Sequence, residues 1–132
     1  MPILNVQVSA QRSDALSQGI TETLLDLTSR ILGKRRELTA VVIHYVDPRD
    51  WFVAGQSLAQ LKKASVYFDV KVTDETNTKD EKARYIAEAF AAFQRLLGDL
   101  HPESYVYVQD VRATAYGYGG LTQEHRYQHP NP

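Results

Sequence analysis

Apolar and polar residues alternate at the start of the chain, as they do in a strand that buries one face. Leu4, Val6 and Val8 are the apolar positions, and Asn5 and Gln7 lie between them. This spacing predicts that the chain begins with a half-buried strand.

A helical pattern follows this first strand. Ser13-Asp14 is a favourable helix start, because a serine side chain accepts a hydrogen bond from a backbone N–H of the first turn. Gly33 is placed to end the helix. The apolar residues between these points recur at helical spacing: Leu16, Ile20, Leu24, Leu27 and Ile31. A second strand, rich in β-branched residues, is predicted over residues 39–46.

The second half of the chain repeats this order. Residues 66–72 alternate again, and Thr78 with Glu81 fits a capping box at the start of a second long helix. Apolar positions continue at helical spacing to Gly98, and a strand is predicted over residues 105–111. The two halves match at an offset of 65 residues at three places: Gly33 and Gly98, Val41 and Val106, Gly55 and Gly120. At the start the offset is 64, which pairs Pro2 with Val66 and implies a one-residue drift before the helix.

A strand, a helix and a strand within about 50 residues imply a parallel strand pair joined by a right-handed crossover. We therefore predict an α/β (α+β) fold in which two β-α-β units in tandem form a four-stranded sheet with both helices on one face. The expected organisation is a single domain over residues 1–132, with a first unit over 1–58, a second unit over 59–122 and an aperiodic tail over 123–132.

The face of the sheet that the helices leave open is predicted to need a partner. Both faces of the second strand are too apolar for water, and Val41, Ile43, Val106 and Val108 lie on the open face if the opposite set faces the helices. An apolar sheet face of this kind indicates an interface, and further copies of the same chain are the simplest partners.

Composition narrows the classes of function. Lys+Arg number 15 and Asp+Glu 16, a formal net charge of -1, so the basic surface of a nucleic-acid-binding protein is not expected. The absence of cysteine removes disulfides, thiol catalysis and thiolate metal ligands. No apolar run approaches the roughly 20 residues of a membrane span, and the N-terminus lacks the pattern of a signal peptide. We therefore expect a cytoplasmic protein without membrane or nucleic-acid partners.

The first residues carry candidate chemistry. Met1-Pro2 stands directly before the first strand, and removal of the methionine leaves Pro2 with a free secondary amine. A terminal amine titrates near pH 8, and an apolar pocket or a nearby arginine lowers its pKa further. Such an amine acts as a base, and after protonation as an acid, near neutral pH. The alternative interpretation is that Pro2 is a processing signal and a stiff start to a strand.

These features together resemble the tautomerase superfamily, typified by 4-oxalocrotonate tautomerase. The resemblance rests on the proline after the initiator Met1, the β-α-β unit, Arg12-Ser13-Asp14 at the helix entrance and the aromatic-glycine segment after the second strand. It covers about the first 58 residues by motif and the rest by repetition, which implies a fused, two-unit member that assembles as a trimer. The chemistry it implies is cofactor-independent proton transfer between the enol and ketone forms of 2-oxo acids.

The resemblance assigns roles to four residues. Pro2 matches the catalytic proline. Arg12 matches the family arginine before the first helix, whose planar fork suits a substrate carboxylate and would keep the amine neutral. Phe52, or Trp51 beside it, matches the aromatic residue that walls the site and excludes water. Each also has a simpler explanation, a solvated helix-entry residue for Arg12 and ordinary packing for the aromatic pair.

The sequence also departs from the family pattern. The family's second arginine falls at Val42, and its counterpart in the second unit is Tyr107, so neither position supplies a cation. Tyr107 offers a phenol O–H in its place, which stabilises a developing enolate less than a charged group does. Val66 in place of a second proline implies one reactive amine per chain.

The remaining polar candidates are weaker. His44 shares a strand face with Val42 and is a candidate lining residue, although a histidine on an apolar strand is more often structural. Asp110 and Arg112 share a face near a strand end and are expected to form an ion pair or a subunit contact. No spacing of histidines and acidic residues predicts a metal site, and no cofactor is expected.

Three hypotheses follow, and the first two differ in class. The first is a tautomerase of the N-terminal-proline type, acting on a small carboxylate-bearing oxo acid or a phenylpyruvate-like enol. The second is a catalytically silent trimeric scaffold, favoured by the missing second arginine. A third is a hydratase or dehalogenase in which Pro2 is a protonated acid and Tyr107 or His44 activates water.

Overall fold

The computed structural model describes residues 2–130 of the chain, and the described part contains one main sheet, two short hairpins and four α-helices. The strands of the main sheet are β1 (Ile3–Val8), β2 (Ala40–Tyr45), β5 (Val66–Thr73) and β6 (Tyr105–Val111). The hairpin strands are β3 (Phe52–Val53), β4 (Gln56–Ser57), β7 (Gly117–Tyr118) and β8 (Leu121–Thr122). The helices are α1 (Asp14–Arg30), α2 (Leu58–Leu61), α3 (Lys79–Leu97) and α4 (Gln123–Gln128).

The main sheet has the order β2-β1-β5-β6. Strand β1 pairs in parallel with β2, β5 pairs in parallel with β6, and the central pair β1 and β5 is antiparallel. Each parallel pair is joined by one long helix, so the predicted pair of β-α-β units is confirmed. Because the central pair is antiparallel, the two units point in opposite directions along the sheet, and the start of β1 lies beside the end of β5.

The hydrophobic core lies between one face of the sheet and helices α1 and α3. Alternate residues of the central strands are fully buried there, and both helices contribute apolar residues from one side. The central members of this core are Leu4, Val6, Val8, Ile20, Leu24, Val66, Phe68, Val70, Tyr85 and Phe93. Both long helices therefore cover the same face, as the sequence predicts.

Local signals set the helix ends as expected. The side chain of Ser13 accepts a hydrogen bond from the Leu16 backbone N–H at 3.0 Å and caps α1. Thr78 and Glu81 form the predicted capping box of α3. Gly33 follows the end of α1 with φ +70°, a conformation that a glycine adopts without strain.

The prediction about the open face of the sheet needs a correction. Val41, Ile43, Val106 and Val108 pack against the core on the helix side, because they lie level with buried residues of β1 and β5. The open face instead carries exposed apolar and aromatic residues of the opposite set: Ile3, Val42, Tyr105 and Tyr107. The open face therefore combines exposed apolar and aromatic residues with polar residues of the central strands, and its apolar part keeps the basis of the argument for a partner.

The C-terminal part of the chain differs from the expected aperiodic tail. Residues 123–128 form helix α4, which the Thr122 side chain caps by accepting a hydrogen bond from the His125 N–H. The Gln123 backbone N–H donates to the Tyr116 carbonyl oxygen at 2.7 Å and ties the helix to the preceding segment. Gly119 and Gly120 form the tip of the hairpin between β7 and β8. In the described residues, no helix combines the length and apolarity needed to cross a membrane.

Candidate active site

Pro2 is buried at the start of β1. It shares strand parity with Leu4, so its ring lies on the side of the sheet that the helices cover. Its carbonyl oxygen accepts a hydrogen bond from the Ala40 backbone N–H at 3.1 Å, which fixes the first residue of the strand to β2. Met1, on whose removal the proposed amine depends, lies outside the described residues.

Tyr116 lies beside the start of β1 and is a residue that the sequence prediction missed. Its hydroxyl donates to the Lys71 carbonyl oxygen at 3.3 Å. Burial raises the pKa of Tyr116, and a hydrogen bond from the Ile3 backbone N–H opposes that rise. The phenol therefore contacts the residue that directly follows Pro2. The internal repeat could have identified this residue, since the offset of 65 residues makes Tyr116 the counterpart of Trp51 in the second unit.

Arg12 lies at the other end of β1. The strand's six residues separate it from Pro2 by about 20 Å, at about 3.3 Å per residue. The Arg12 guanidinium is 69% exposed and pairs with the Asp14 carboxylate at 2.9 Å. One protomer therefore does not bring Pro2 and Arg12 together, and contact between them requires a second protomer.

The two aromatic candidates lie at the same far end as Arg12. They follow β2, which runs parallel to β1 and ends where β1 ends. Phe52 is 61% exposed, and Trp51 is half-buried with its carbonyl oxygen accepting from the Leu58 N–H at 2.9 Å. Neither residue contacts Pro2 of its own chain.

Val42 and Tyr107 lie at the two ends of one row across the sheet. The strand register links Val42 to Asn5, Asn5 to Asp69, and Asp69 to Tyr107. His44 lies on the same open face, two residues further along β2, and is exposed. All three candidates are on the opposite face of the sheet from the Pro2 ring, so they do not line a Pro2 site within one protomer.

A cavity of about 270 Å³ lies at the Pro2 end of the sheet. Thr73, one of its lining residues, follows Val72, which the antiparallel register places opposite Pro2 when it is continued by two pairs beyond Leu4 and Val70. Six residues that line the cavity are Lys34, Arg35, Thr73, Gln123, Arg126 and Tyr127. We call this the Lys34 cavity.

The Lys34 cavity is cationic. The Lys34 ammonium donates a hydrogen bond to the Thr76 hydroxyl at 2.8 Å. Burial lowers the pKa of Lys34, and the negative charges of Glu81 and Asp110 oppose that shift. The Arg126 guanidinium donates to the Tyr118 carbonyl oxygen at 2.9 Å and lies 3.9 Å from the centre of the Tyr118 ring.

Two polar atoms in the wall of this cavity lack hydrogen-bond partners within the described chain. They are the Oε1 atom of Gln123, a residue only 5% exposed, and the Nε atom of Arg126. Buried polar atoms are normally satisfied, so these two atoms mark a place where the fold of one protomer leaves hydrogen bonds unmade.

The expected pair of Asp110 and Arg112 is not an ion pair in the structure. Asp110 instead pairs with Lys82 of α3 at 2.7 Å, because Asp110 lies on the helix side of β6. Among residues 2–130 there is no group of three or more His, Asp and Glu side chains arranged to hold a metal ion.

The chain was compared with known families and structures. Residues 2–61 match the family described as tautomerase enzyme. No curated protein sequence matches the chain significantly. A fused 4-OT, described as a wild-type symmetric trimer, has a TM-score of 0.79 and 21% identity, with 92% of this chain and 96% of that chain covered.

Two further solved structures share the fold. Pt0534 inactivated by 2-oxo-3-pentynoate has a TM-score of 0.80 and 17% identity, with 93% of this chain and 98% of that chain covered. A macrophage migration inhibitory factor-like protein from Entamoeba histolytica has a TM-score of 0.75 and 15% identity, with coverage of 92% and 97%. The resemblance inferred from the sequence is confirmed over the first unit by the family match and over most of the chain by the fold.

Proposed function

From a first unit that matches the tautomerase enzyme family and a two-unit fold shared with the fused 4-OT proteins, we propose that this protein is a cofactor-independent tautomerase. Pro2 is its acid–base group, and its substrate is a small 2-oxo acid or the corresponding enol. The observation that carries this proposal is the burial of Pro2 at a strand start, beside Tyr116 and at the same end of the sheet as a cationic cavity.

The proposed reaction needs only the amine of Pro2. The nitrogen lone pair takes a proton from the carbon next to the ketone, and the electrons of that C–H bond form the enol double bond. The carbonyl oxygen takes up the negative charge and receives a proton from water, and the protonated amine releases its proton to water to complete the cycle. In the reverse direction the protonated amine returns the proton to carbon, as a group with a pKa near neutrality does efficiently.

The burial of Pro2 supports this role for its amine. Removal from water disfavours the cationic form, so we expect a pKa below the value near 8 of a free terminal amine. A substantial fraction of the amine is then neutral at physiological pH and available as a base.

The inactivator of one structural neighbour supports the substrate class. Pt0534 is described as inactivated by 2-oxo-3-pentynoate, which is itself a 2-oxo acid. We propose that the same reagent modifies this protein by adding the Pro2 amine across its alkyne, with no atom lost from either reactant. Intact mass is then expected to rise by one reagent mass per chain, and the Pro2→Ala variant to remain unmodified.

We propose that the working form is a cytoplasmic homotrimer. Fused 4-OT neighbours are described as symmetric and asymmetric trimers. In a trimer the far end of one protomer, with Arg12, Trp51 and Phe52, is free to approach Pro2 of another. The open sheet face, with Val42, His44 and Tyr107, is proposed to lie inside the assembly, where Tyr107 and His44 reach the substrate only from a neighbouring chain.

The decisive test is turnover of phenylenolpyruvate by wild type and by Pro2→Ala. We expect kcat/KM to fall at least about a hundredfold, the usual scale for removal of an acid–base group. Pro102→Ala is the matched control, because Pro102 lies in an exposed loop, and it should keep the wild-type rate. Equal rates for wild type and Pro2→Ala would contradict the proposal and favour the silent scaffold.

A further inference from the structure

The sequence leaves one role of the proposed site unfilled. Val42 and Tyr107 stand where the family pattern predicts a second arginine, and neither side chain is cationic. Both also lie on the open face of the sheet, away from the Pro2 ring. Within one protomer a substrate at Pro2 therefore has neither that cation nor Arg12 beside it, and its carboxylate needs a cation from elsewhere.

The cations of the far end are poorly placed for this role within a protomer. Arg12 pairs with Asp14 about a strand length away from Pro2.

The larger groove between α1 and α3, with a volume of about 390 Å³, holds Arg30 already paired with Asp26 and Glu88. A guanidinium with two carboxylate partners has little affinity left for a third.

The Lys34 cavity lies at the right end of the sheet. Thr73 on its wall neighbours the residue opposite Pro2, and Lys34 belongs to the segment that leads into β2, whose Ala40 N–H binds the Pro2 carbonyl oxygen. Gln123 binds Tyr116 through its backbone N–H, and Tyr116 in turn contacts Ile3. A chain of hydrogen bonds therefore connects the cavity wall to the start of β1 through Gln123 and Tyr116.

The charges of this cavity are not neutralised. Within residues 2–130, neither Lys34 nor Arg126 has a carboxylate oxygen within 4.0 Å, whereas Arg35 at the rim pairs with Glu37 at 2.9 Å. The Lys34 ammonium has one neutral hydrogen-bond partner, Thr76, and retains donors for a further acceptor. The buried Nε–H of Arg126 has no acceptor in this part of the chain.

The internal repeat gives an independent pointer to Lys34. Its partner Thr76 lies in the loop before the second long helix, two residues before the cap Thr78, and Arg12 lies in the corresponding loop of the first unit, one residue before the cap Ser13. The second unit lacks an arginine there, and the Lys34 ammonium reaches this position from the first unit.

We infer that Lys34 and Arg126 bind the carboxylate of the substrate that Pro2 deprotonates, the role that the resemblance to the family gives to Arg12. This inference rests on the proposed function. A volume of about 270 Å³ suits a small acid. The carboxylate accepts a hydrogen bond from the Lys34 ammonium, and the positive charge of the Arg126 guanidinium attracts it.

The first test measures binding rather than turnover. Phenylpyruvate is the probe, titrated by calorimetry into wild type, Lys34→Gln and Lys34→Arg. We expect Lys34→Gln to weaken binding at least about tenfold, because hydrogen bonds to charged groups are the strong ones, and Lys34→Arg to retain most of the affinity. Arg95→Gln is the matched control, since it removes one exposed positive charge at the opposite end of α3.

The second test separates the cavity from the amine. Phenylenolpyruvate is compared with its methyl ester, which keeps the enol but has no carboxylate charge. We expect Lys34→Gln and Arg126→Gln to lower kcat/KM for the acid and to leave turnover of the ester near that of wild type. Arg126→Lys keeps the positive charge. If Arg126 acts through binding rather than through its packing on Tyr118, this variant should keep a higher kcat/KM for the acid than Arg126→Gln.

The outcomes distinguish the two proposals. Loss of turnover in Pro2→Ala with unchanged phenylpyruvate binding in Lys34→Gln overturns the cavity assignment and leaves the tautomerase proposal intact. Equal losses for acid and ester in Lys34→Gln also overturn it, because a carboxylate-binding residue discriminates between them. Absence of phenylpyruvate binding to the wild type would overturn it as well.

Discussion

At the scale of single residues, Pro2 occupies a position in which a proline is compatible with the sheet. The only ladder hydrogen bond that the structure gives it uses its carbonyl oxygen, which binds the Ala40 N–H. The residue that follows, Ile3, donates its N–H to the Tyr116 phenol. Tyr116 therefore holds the chain next to the proposed catalytic nitrogen.

Substitution of Tyr116 tests that positioning role. Tyr116→Phe removes the hydroxyl that contacts the Ile3 N–H and the Lys71 carbonyl, so we expect a stability loss of about 1 kcal/mol. We also expect faster hydrogen exchange at the Ile3 amide, measured by NMR. Tyr127→Phe is the control, because Tyr127 is 57% exposed and its hydroxyl has no partner in the described chain. Unchanged exchange at Ile3 would rule out the positioning role.

The residues of the site show where sequence analysis reaches its limit. The parity of β1 is enough to place Pro2 on the helix side of a strand start. The 65-residue repeat could have identified Tyr116 as a site residue. Its contact with Ile3 could not be predicted, because it depends on the antiparallel packing of the two units. The burial of the Gln123 Oε1 and Arg126 Nε atoms could not be predicted, because a six-residue helix is too short to show a hydrophobic period.

At the scale of secondary-structure elements, the long strands and helices could be predicted because each buries one regular face against a common core. The short elements could not. Helix α4 depends on the Thr122 cap and on the tertiary hydrogen bond from Gln123 to Tyr116. Helix α2 has only four residues and is held by the Ser57 and Gln60 capping box.

The two long helices are linked by one buried hydrogen bond. The hydroxyls of Thr28 on α1 and Tyr85 on α3 are 2.8 Å apart, and both residues are fully buried. Tyr85→Phe leaves the Thr28 hydroxyl without that partner, so we expect a loss of about 1 to 2 kcal/mol in urea unfolding. The double variant Thr28→Val, Tyr85→Phe should recover part of the loss, because it removes both polar groups. A double variant much less stable than Tyr85→Phe would contradict this account.

The same tyrosine predicts a pH dependence. Burial raises the pKa of Tyr85 to about 12 from an ordinary value of 10.0, while the hydrogen bond from Thr28 opposes the shift. The unfolded chain therefore loses this proton at lower pH than the folded chain, and stability falls as pH rises from about 10 to about 12. Urea midpoints at pH 9 and pH 11 measure the fall. Tyr85→Phe should show a smaller fall than wild type, and an equal fall would contradict the assignment.

At the scale of the whole molecule, the sheet presents one face without a cover. Ile3, Val42, Tyr105 and Tyr107 are each at least 40% exposed on that face. An uncovered apolar area of the sheet could be predicted from the apolar β-strands, but the identity of the uncovered residues could not. That choice depends on which parity of β2 and β6 faces the helices, and both parities are apolar.

Substitution on the open face tests the assembly. Val42→Asp places a charge in the proposed interface, so we expect a trimer of three 14.9 kDa chains to dissociate, as measured by light scattering after size-exclusion chromatography. Ile86→Asp is the matched control, because Ile86 is 40% exposed on α3 and Val42 is 42% exposed on the sheet. Dissociation by Ile86→Asp, with Val42→Asp unaffected, would locate the interface on the helix side.

The ionisation of Pro2 tests the central claim most directly. Protein labelled with nitrogen-15 proline is titrated by NMR, with Pro2→Ala used to assign the terminal resonance. The account predicts a secondary-amine resonance that titrates with a pKa below about 8, because burial disfavours the cation. A Pro2 resonance with the shift of an amide that does not change with pH would contradict it, since an amide nitrogen is not a base.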